Sequence, residues 1–286
     1  MRTVLAGVLL LVGMGPVCLA SRVVVDETGR TVTVPDHPHR VICLVPSVTD
    51  DVFALGAGDD VAAVTDYVKY PEEARKKPSV GSILTPSVET MLAQHPDLVI
   101  GEPKANQQAI LDQLQRLGIP VFLVSTHGLE GILKSIGFVG VALNREHEAA
   151  ALNARLQQRI DAVKASTRGK PVVSLFMPVW YDPVITIGKG AFITEMIAVA
   201  GGRSVTEDLE QEWPHVSIEI VLERGPEALL LIREGKVTLD VLQGRPGWGQ
   251  VPAVKQRRAY YVDRRVDFSS PVAIDALEDL AKELHP

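Results

Sequence analysis

From Arg22 to Pro35 the chain writes "RVVVDETGRTVTVP", in which apolar and polar residues alternate on either side of Thr28-Gly29, the pattern of a β-hairpin. Short apolar runs and helical stretches then take turns. "VICLV" predicts a strand, and "SVTDDVFALGAG" predicts a helix opened by Ser or Thr and stopped by Gly. "VAAV" predicts a second strand, followed by the polar loop "TDYVKYPEEARKKPSVGS". The helical stretch "SVETMLAQHP" leads into "DLVIG", and "QQAILDQLQRLG" leads into "PVFLV". This switching between periods of two and 3.6 reads as βα units with parallel strands.

From Leu129 the pattern changes. "LEGILKSIGFVGVALN" and "REHEAAALNARLQQRIDAVKAS" contain no strand signal and no Pro. In the second stretch Leu152, Leu156, Ile160 and Val163 recur at helical spacing between polar residues, which predicts a long amphipathic helix stopped at "TRGKP". The earlier grammar then resumes: "VVSLF" and "ALLLI" are strands, "GAFITEMIAVAGG" is a helix, "AYYVD" is a late strand, and "PVAIDALEDLAKEL" closes the chain. The expected architecture is α/β: two Rossmann-like lobes with parallel-rich sheets, joined by one long rigid helix, with a ligand cleft between them. Its expected boundaries are residues 21–140 for the first lobe, 141–168 for the linking helix and 169–286 for the second lobe.

One helix-then-strand segment occurs twice. "SVETMLAQHPDLVI" begins at Ser87 and "SIEIVLERGPEALL" at Ser217, so that Ser87, Glu89, Leu92 and Pro96 match Ser217, Glu219, Leu222 and Pro226. A period this long marks a duplication at the scale of a lobe rather than a solenoid. Both serines suit helix N-caps, which puts Glu89 and Glu219 in first turns, where the helix dipole stabilises a carboxylate by about 0.3–1 kcal/mol. The dipole accounts for either glutamate alone and less well for the recurrence.

The first twenty residues, "MRTVLAGVLLLVGMGPVCLA", have an early cation, an apolar core broken by Gly and Pro, and a terminal small residue. They read as a cleaved signal peptide, residues 1–20, rather than a membrane span. The mature protein is therefore expected to be periplasmic. Pro16 and Val17 precede Cys18 where a lipid-acceptor cysteine usually has small residues, so no lipid tether is expected. With Cys18 removed, Cys43 alone remains, in an apolar strand, and it reads as a small buried hydrophobe. The 286 residues are 46 % hydrophobic and 22 % charged, globular values, and the formal charge of −6 with no basic run argues against a nucleic-acid partner.

Catalytic signatures are missing. "GKGAF" lacks the Ser or Thr of a phosphate-binding loop, no G-x-S-x-G, C-x-x-C or H-E-x-x-H occurs, and Ser47 reads as a helix N-cap. His37 and His39 form the only close His pair, in a Pro-bearing loop, and no metal site is assigned. A hydrolase would need Ser47 or Ser217 beside a His. A binder is the more natural reading, with neither catalytic residues nor a resident cofactor. Ligands of open α/β sheets sit beyond the carboxyl ends of the strands. Aromatics make up only 5 % of the chain, yet Tyr67, Tyr70, Trp180, Tyr181 and Trp213 fall in loops after strands. There they either stack on a flat ligand or plug a lobe edge.

Taken together, "RVICLVPSVTDDVFALGAG", "YPEEA", "SVETMLAQHPDLVIG", "ITIGKGAFITEMIAVAGG", "EWPHVSIEIVLERGPEALLL" and "WGQVPAVKQRRAYYVD" resemble the periplasmic binding proteins whose two lobes are joined by a single helix. Those proteins serve ABC importers of cobalamin, haem and iron–siderophores. The likeness spans the mature chain, and "YPEEA", "YDPVITIGKG" and "WPHVSIE" are nearest to the cobalamin-binding member. The resemblance implies that Glu89 and Glu219 pair with arginines on the two halves of a dimeric permease. It also places Tyr67 or Tyr70, Ile185 and Trp213 around a cobalamin cleft, and Trp180 and Tyr181 are the aromatics that compensate for tryptophans missing from the first lobe. Ile83 and Glu102 stand where the cobalamin binder has tryptophans, and "FSSPVAI" lacks the basic residue common after that Pro. Haem would want His or Tyr on its iron, for which Tyr67, Tyr181, His127 and His215 are the candidates. A ferric siderophore would want an arginine-rich cleft.

Overall fold

Strands β1 (Ser21–Val25) and β2 (Thr31–Pro35) form the expected antiparallel hairpin. Asp26 closes its turn, accepting hydrogen bonds from the amides of Thr28 and Arg30 and the guanidinium of Arg30. The computed structural model describes residues 20–286, so residues 1–19 of the expected leader, Cys18 included, lie outside the described residues.

The first lobe is a parallel sheet of β3 (Val41–Cys43), β4 (Val61–Ala63), β5 (Leu98–Gly101) and β6 (Val121–Leu123), in the order β4-β3-β5-β6. Helices α1 (Pro46–Ala54), α2 (Val88–Ala93) and α3 (Gln108–Arg116) connect its strands. β3 and β5 are buried throughout, as strands of a parallel sheet covered on both faces must be. The start of α1 differs from expectation. Pro46 occupies the first helical turn and Val45 is the N-cap, because the fixed φ of proline suits N1. Ser47 is thus inside the helix, accepting from the Thr126 hydroxyl at 3.2 Å.

Helices α4 (Gly128–Leu143) and α5 (Glu146–Thr167) follow as a pair, turned at Asn144 in the left-handed region. Their approach is close: a Cβ on Gly140 would fall 2.5 Å from that of Ala149. The stripe of α5 that the sequence outlines, Leu152, Leu156, Ile160 and Val163, is buried. The second lobe has β7 (Val173–Phe176), β8 (Trp180–Tyr181), β9 (Val184–Ile185), β10 (Gly202–Ser204), β11 (His215–Val216), β12 (Ala228–Ile232) and β13 (Ala259–Val262). Its main sheet is parallel, ordered β10-β7-β12-β13, and β11-β9-β8 form a small antiparallel sheet. Helices α6 (Phe192–Val199), α7 (Ile218–Arg224), α8 (Leu239–Gln243), α9 (Pro252–Lys255) and α10 (Ala273–Leu284) complete it.

Both main sheets have the order second-first-third-fourth, counted within each lobe. The repeated sequence segment falls at the same point in each: α2 leads into β5 and α7 into β12, the third strand of its sheet. The duplication read from the sequence is therefore a duplication of topology. One continuous apolar core runs through both lobes, taking in Val41 and Ile100, the α5 stripe, Leu175, Met196 and Leu277. Arg159 of α5 adds a clamp, donating to Asp275 at 2.6 Å and Glu278 at 2.7 Å on α10. A joint built of shared core and ion pairs is stiffer than an exposed linker would be.

Candidate functional site

In a doubly wound sheet the crevice opens where neighbouring strands send their connections to opposite faces. In the second lobe that point lies between β7 and β12, and a cavity of about 690 Å³ opens there. Its walls come from the ends of three strands and the segments that follow them: Met177–Trp180 after β7, Ile232 with Gly235, Lys236 and Val237 at the end of β12, and Arg264 with Asp267 after β13. Ile185 and Ile193 add apolar surface, and Trp213 reaches in from the loop before β11.

Three of the six expected ligand residues, Trp180, Ile185 and Trp213, line this cavity together. Trp213 is 47 % exposed, an indole left available rather than packed into an edge. Tyr181 stands just outside. Its ring stacks on Trp180 with centroids 4.7 Å apart and planes 19° apart, and the Arg245 guanidinium lies over it at 4.2 Å. The Trp180 Nε1 donates to the Asp182 carbonyl at 2.9 Å, so the indole is held at edge and face.

Tyr67 and Tyr70 are not brought to the cavity, and every residue lining it comes from the second lobe. A cleft walled by both lobes was expected; a second cavity does lie between them, lined by His127 and Gly128 on one side and Lys189, Phe192 and Glu195 on the other, and the lobes also meet through direct contacts. Tyr70 packs edge-on against Phe268 at 5.5 Å, and Ser270 donates to Asp50 at 2.7 Å. Tyr67, 57 % exposed, is free of such packing. Ile83 packs against the core, and burial pushes the Glu102 carboxyl up, so neither supplies the aromatic surface of a tryptophan there.

The remaining candidates separate. His127 is the N-cap of α4 and lies 3.8 Å from Glu212, whereas His215 is exposed on β11. His37 lies by Asp36 and His39 by Asp60, so the pair does not converge, and among the described residues no cluster suits a metal ion. Cys43 is buried and its thiol is pushed up to about 12 by that burial, the state of an inert core residue. Glu89 and Glu219 are both exposed in first turns of their helices. Ser87 caps α2 through the Thr90 amide at 3.1 Å, and the Ser217 hydroxyl holds the Glu219 carboxyl below the usual carboxylate range.

Lys236, Arg264 and Asp267 in the cavity, and Arg245 behind it, were not anticipated from sequence. The rule that ligands sit at carboxyl ends of strands points to Lys236 once "ALLLI" is taken as the third strand, since "REGKV" follows it directly. Arg245 carries no such signal, because it arrives from beyond α8.

Two α/β lobes of matching topology, a stiff helical joint and an apolar cavity at a strand switch point define an extracytoplasmic solute-binding protein. The chain belongs to the periplasmic binding protein family, whose sequence pattern matches residues 41–266. It is 30 % identical over 269 residues to an uncharacterized ABC transporter substrate-binding lipoprotein, YvrC, of Bacillus subtilis, covering 91 % of this chain and 84 % of the relative. It is also 30 % identical over 194 residues to the vitamin B12-binding protein of Vibrio campbellii, covering 68 % of this chain and 70 % of that one. Among solved structures it is similar to the periplasmic heme-binding protein RhuT of Roseiflexus sp. RS-1, with a TM-score of 0.78 and 28 % identity, over 86 % of this chain and 98 % of that one. The protein is thus the substrate-binding component of an ABC importer, a non-enzymatic part that binds a small molecule and works with membrane permease subunits. The hydrolase reading falls with this assignment, and Ser47 contacts Thr126 rather than a His.

Proposed function

We propose that the protein captures cobalamin or a related corrinoid in the second-lobe cavity and delivers it to a dimeric ABC permease. The observation that carries this reading is the pair of indoles, Trp180 and Trp213, on a cavity whose apolar lining includes Met177, Ile185, Ile193, Ile232 and Val237. Such a surface suits the edge and face of a large flat macrocycle, because rigid aromatics offer contact area at little entropic cost. The vitamin B12-binding relative supports the choice. Haem ranks second, on the likeness to a heme-binding protein. Against it, no His, Tyr or Cys is among the residues lining the cavity, and Tyr181 is sandwiched by Trp180 and Arg245. A ferric siderophore ranks third, since Arg264 is the one arginine lining the cavity.

Delivery uses Glu89 and Glu219 as one anionic contact per lobe. Their exposure and their matching places in a duplicated topology suit a partner with two equivalent halves. The mature chain works free of a lipid tether, on the ground of Pro16 and Val17 before Cys18; the lipoprotein relative speaks the other way, and palmitate labelling of wild type against Cys18→Ser decides it.

The test is titration of the apo-protein with cyanocobalamin, followed by tryptophan emission and calorimetry. The expected result is one-to-one binding that weakens by about tenfold or more in Trp213→Ala, the loss of one stacked aromatic. No binding at high micromolar ligand overturns the corrinoid assignment, and haemin is then titrated on the same protein.

A further inference from the structure

Four cations gather where β12 and β13 end: Arg233, Lys236, Arg264 and Arg265. Three are spoken for. The Arg233 guanidinium donates to the Tyr261 carbonyl at 3.1 Å. Arg264 lies 3.7 Å from Asp267, and Arg265 reaches Asp263 at 2.8 Å with Asp275 and Asp279 each at 3.2 Å. Lys236, like Arg233, has no carboxylate within 4.0 Å among the described residues, and of these two Lys236 alone lines the cavity.

The backbone around Lys236 is built tightly. The Gly235 amide donates to the Ile232 carbonyl at 2.9 Å, Glu234 takes a φ of 64°, and a Cβ on Gly235 would fall 2.8 Å from that same carbonyl oxygen. A turn this short leaves little freedom in where residue 236 departs, and Val237 beside it is buried. The cavity's three ionised side chains, Lys236, Arg264 and Asp267, therefore leave one positive charge unbalanced on a mostly apolar wall.

Empty, that ammonium is solvated at little cost. A ligand filling the cavity removes some of its water, and this is unfavourable unless the ligand supplies an anion. We propose that Lys236 is the specificity-determining residue of the cavity, donating to an anionic oxygen group, a phosphodiester or a carboxylate, at the edge of a flat macrocycle resting on Trp180 and Trp213. The proposal rests on the reading that this cavity holds the ligand. It goes further in stating what the ligand carries on its rim, and it gives the cavity a means of rejecting uncharged macrocycles of similar shape. In a chain of formal charge −6, whose overall field repels anions, such selection must be local.

The experiment compares wild type, Lys236→Met and Lys236→Arg against cyanocobalamin and dicyanocobinamide, the same corrin without the phosphodiester-bearing nucleotide. Expected is a loss of about tenfold in cyanocobalamin affinity in Lys236→Met, recovery in Lys236→Arg, and dicyanocobinamide binding unchanged to within about twofold. Equal loss for both ligands, or no loss for either, overturns the proposal while the corrinoid reading stands. If wild type binds neither corrinoid, the corrinoid reading fails by itself. Haemin and its dimethyl ester then replace the pair: a loss confined to haemin supports the proposal, and equal behaviour overturns it. A wild-type protein that binds none of the four overturns both.

Discussion

The carboxylate of Glu195, on α6 of the second lobe, accepts the amide of Leu129 in the first turn of α4 at 2.9 Å. The helix it caps is sixteen residues long, and its own N-cap, His127, makes no side-chain cap. A carboxylate at that end meets both an orphan amide and the positive pole of the dipole. The room for it comes from Gly128, which takes a φ of 80° and on which a Cβ would fall 3.0 Å from the Glu195 carboxylate. One lobe therefore supplies the cap that the other lobe's helix lacks.

Removing this cap weakens the whole molecule, because α4 belongs to the core common to both lobes. Glu195→Ala is expected to lower unfolding stability by ~1 kcal/mol, the usual value of an N-cap. Glu195→Gln keeps an acceptor and loses the charge, so its loss is smaller. Urea denaturation of the three proteins checks this, and equal stability of Glu195→Ala and wild type would refute it.

A second cross-lobe contact brings pH dependence. Asp50 on α1 accepts from Ser270 while its other carboxylate oxygen is buried without a hydrogen-bond partner, and burial pushes its carboxyl up to about 7. Asp51 beside it is raised too, again by burial first. With a folded-state value above the unfolded one, Asp50 binds its proton more tightly when folded. Its favourable contribution is present in full below the unfolded value and is lost as pH rises through about 7. Wild type should then lose stability between about pH 4 and pH 7 relative to Asp50→Asn, by an amount on the order of 4 kcal/mol at most. Chemical denaturation of the pair across that range gives the slope; parallel curves would remove Asp50 as the cause.

The elements were largely legible in the sequence because their periods are clean: the hairpin, the βα units and the α5 stripe all lie where the pattern puts them. The matching sheet order was only hinted at, through the repeated segment, since strand order depends on contacts between distant residues. Of the candidate site, the aromatics after strands were readable by the carboxyl-end rule, and Trp180 and Trp213 are the two of them that line the cavity. That rule does not say which lobe encloses the cavity, and Tyr67 and Tyr70 satisfy it equally in the first lobe after β4. The difference lies in tertiary packing: Phe268 covers an edge of Tyr70, a contact between residues of different lobes that no local pattern encodes.

Tyr181 and Arg245 brace the cavity wall from behind. A ring has two faces, and an indole and a guanidinium stacked at 4.7 and 4.2 Å cannot comfortably share one. Arg245, Tyr181 and Trp180 are then layers of one stack whose free end is the cavity wall. Arg245→Met removes a cation–π contact of about 0.5–1 kcal/mol and loosens that stack. The expected readouts are a weaker near-ultraviolet circular dichroism signal from the coupled rings and a fall of a few-fold in ligand affinity. Arg245→Lys should restore part of both. An unchanged spectrum would show that Trp180 is held by its Asp182 hydrogen bond alone.

Glu89 and Glu219 are set apart from all of this. Both are exposed at helix starts that precede the third strands of their sheets, whereas the second-lobe cavity is built from segments that follow strands. Neither glutamate is among the residues lining the cavity, so charge changes at these positions should leave the ligand site untouched. Glu89→Lys and Glu219→Lys are therefore expected to bind ligand as wild type does, yet to stimulate permease-coupled ATP hydrolysis and uptake poorly in proteoliposomes. Because rim charges govern encounter more than final affinity, each single reversal should slow docking most at low salt, where the attraction is least screened. With one contact per lobe on a two-fold partner, the double variant should lose delivery altogether. Full delivery by the double variant would mean that the partner reads some other surface, and that the recurrence of these glutamates reflects only the dipoles of the two helices they begin.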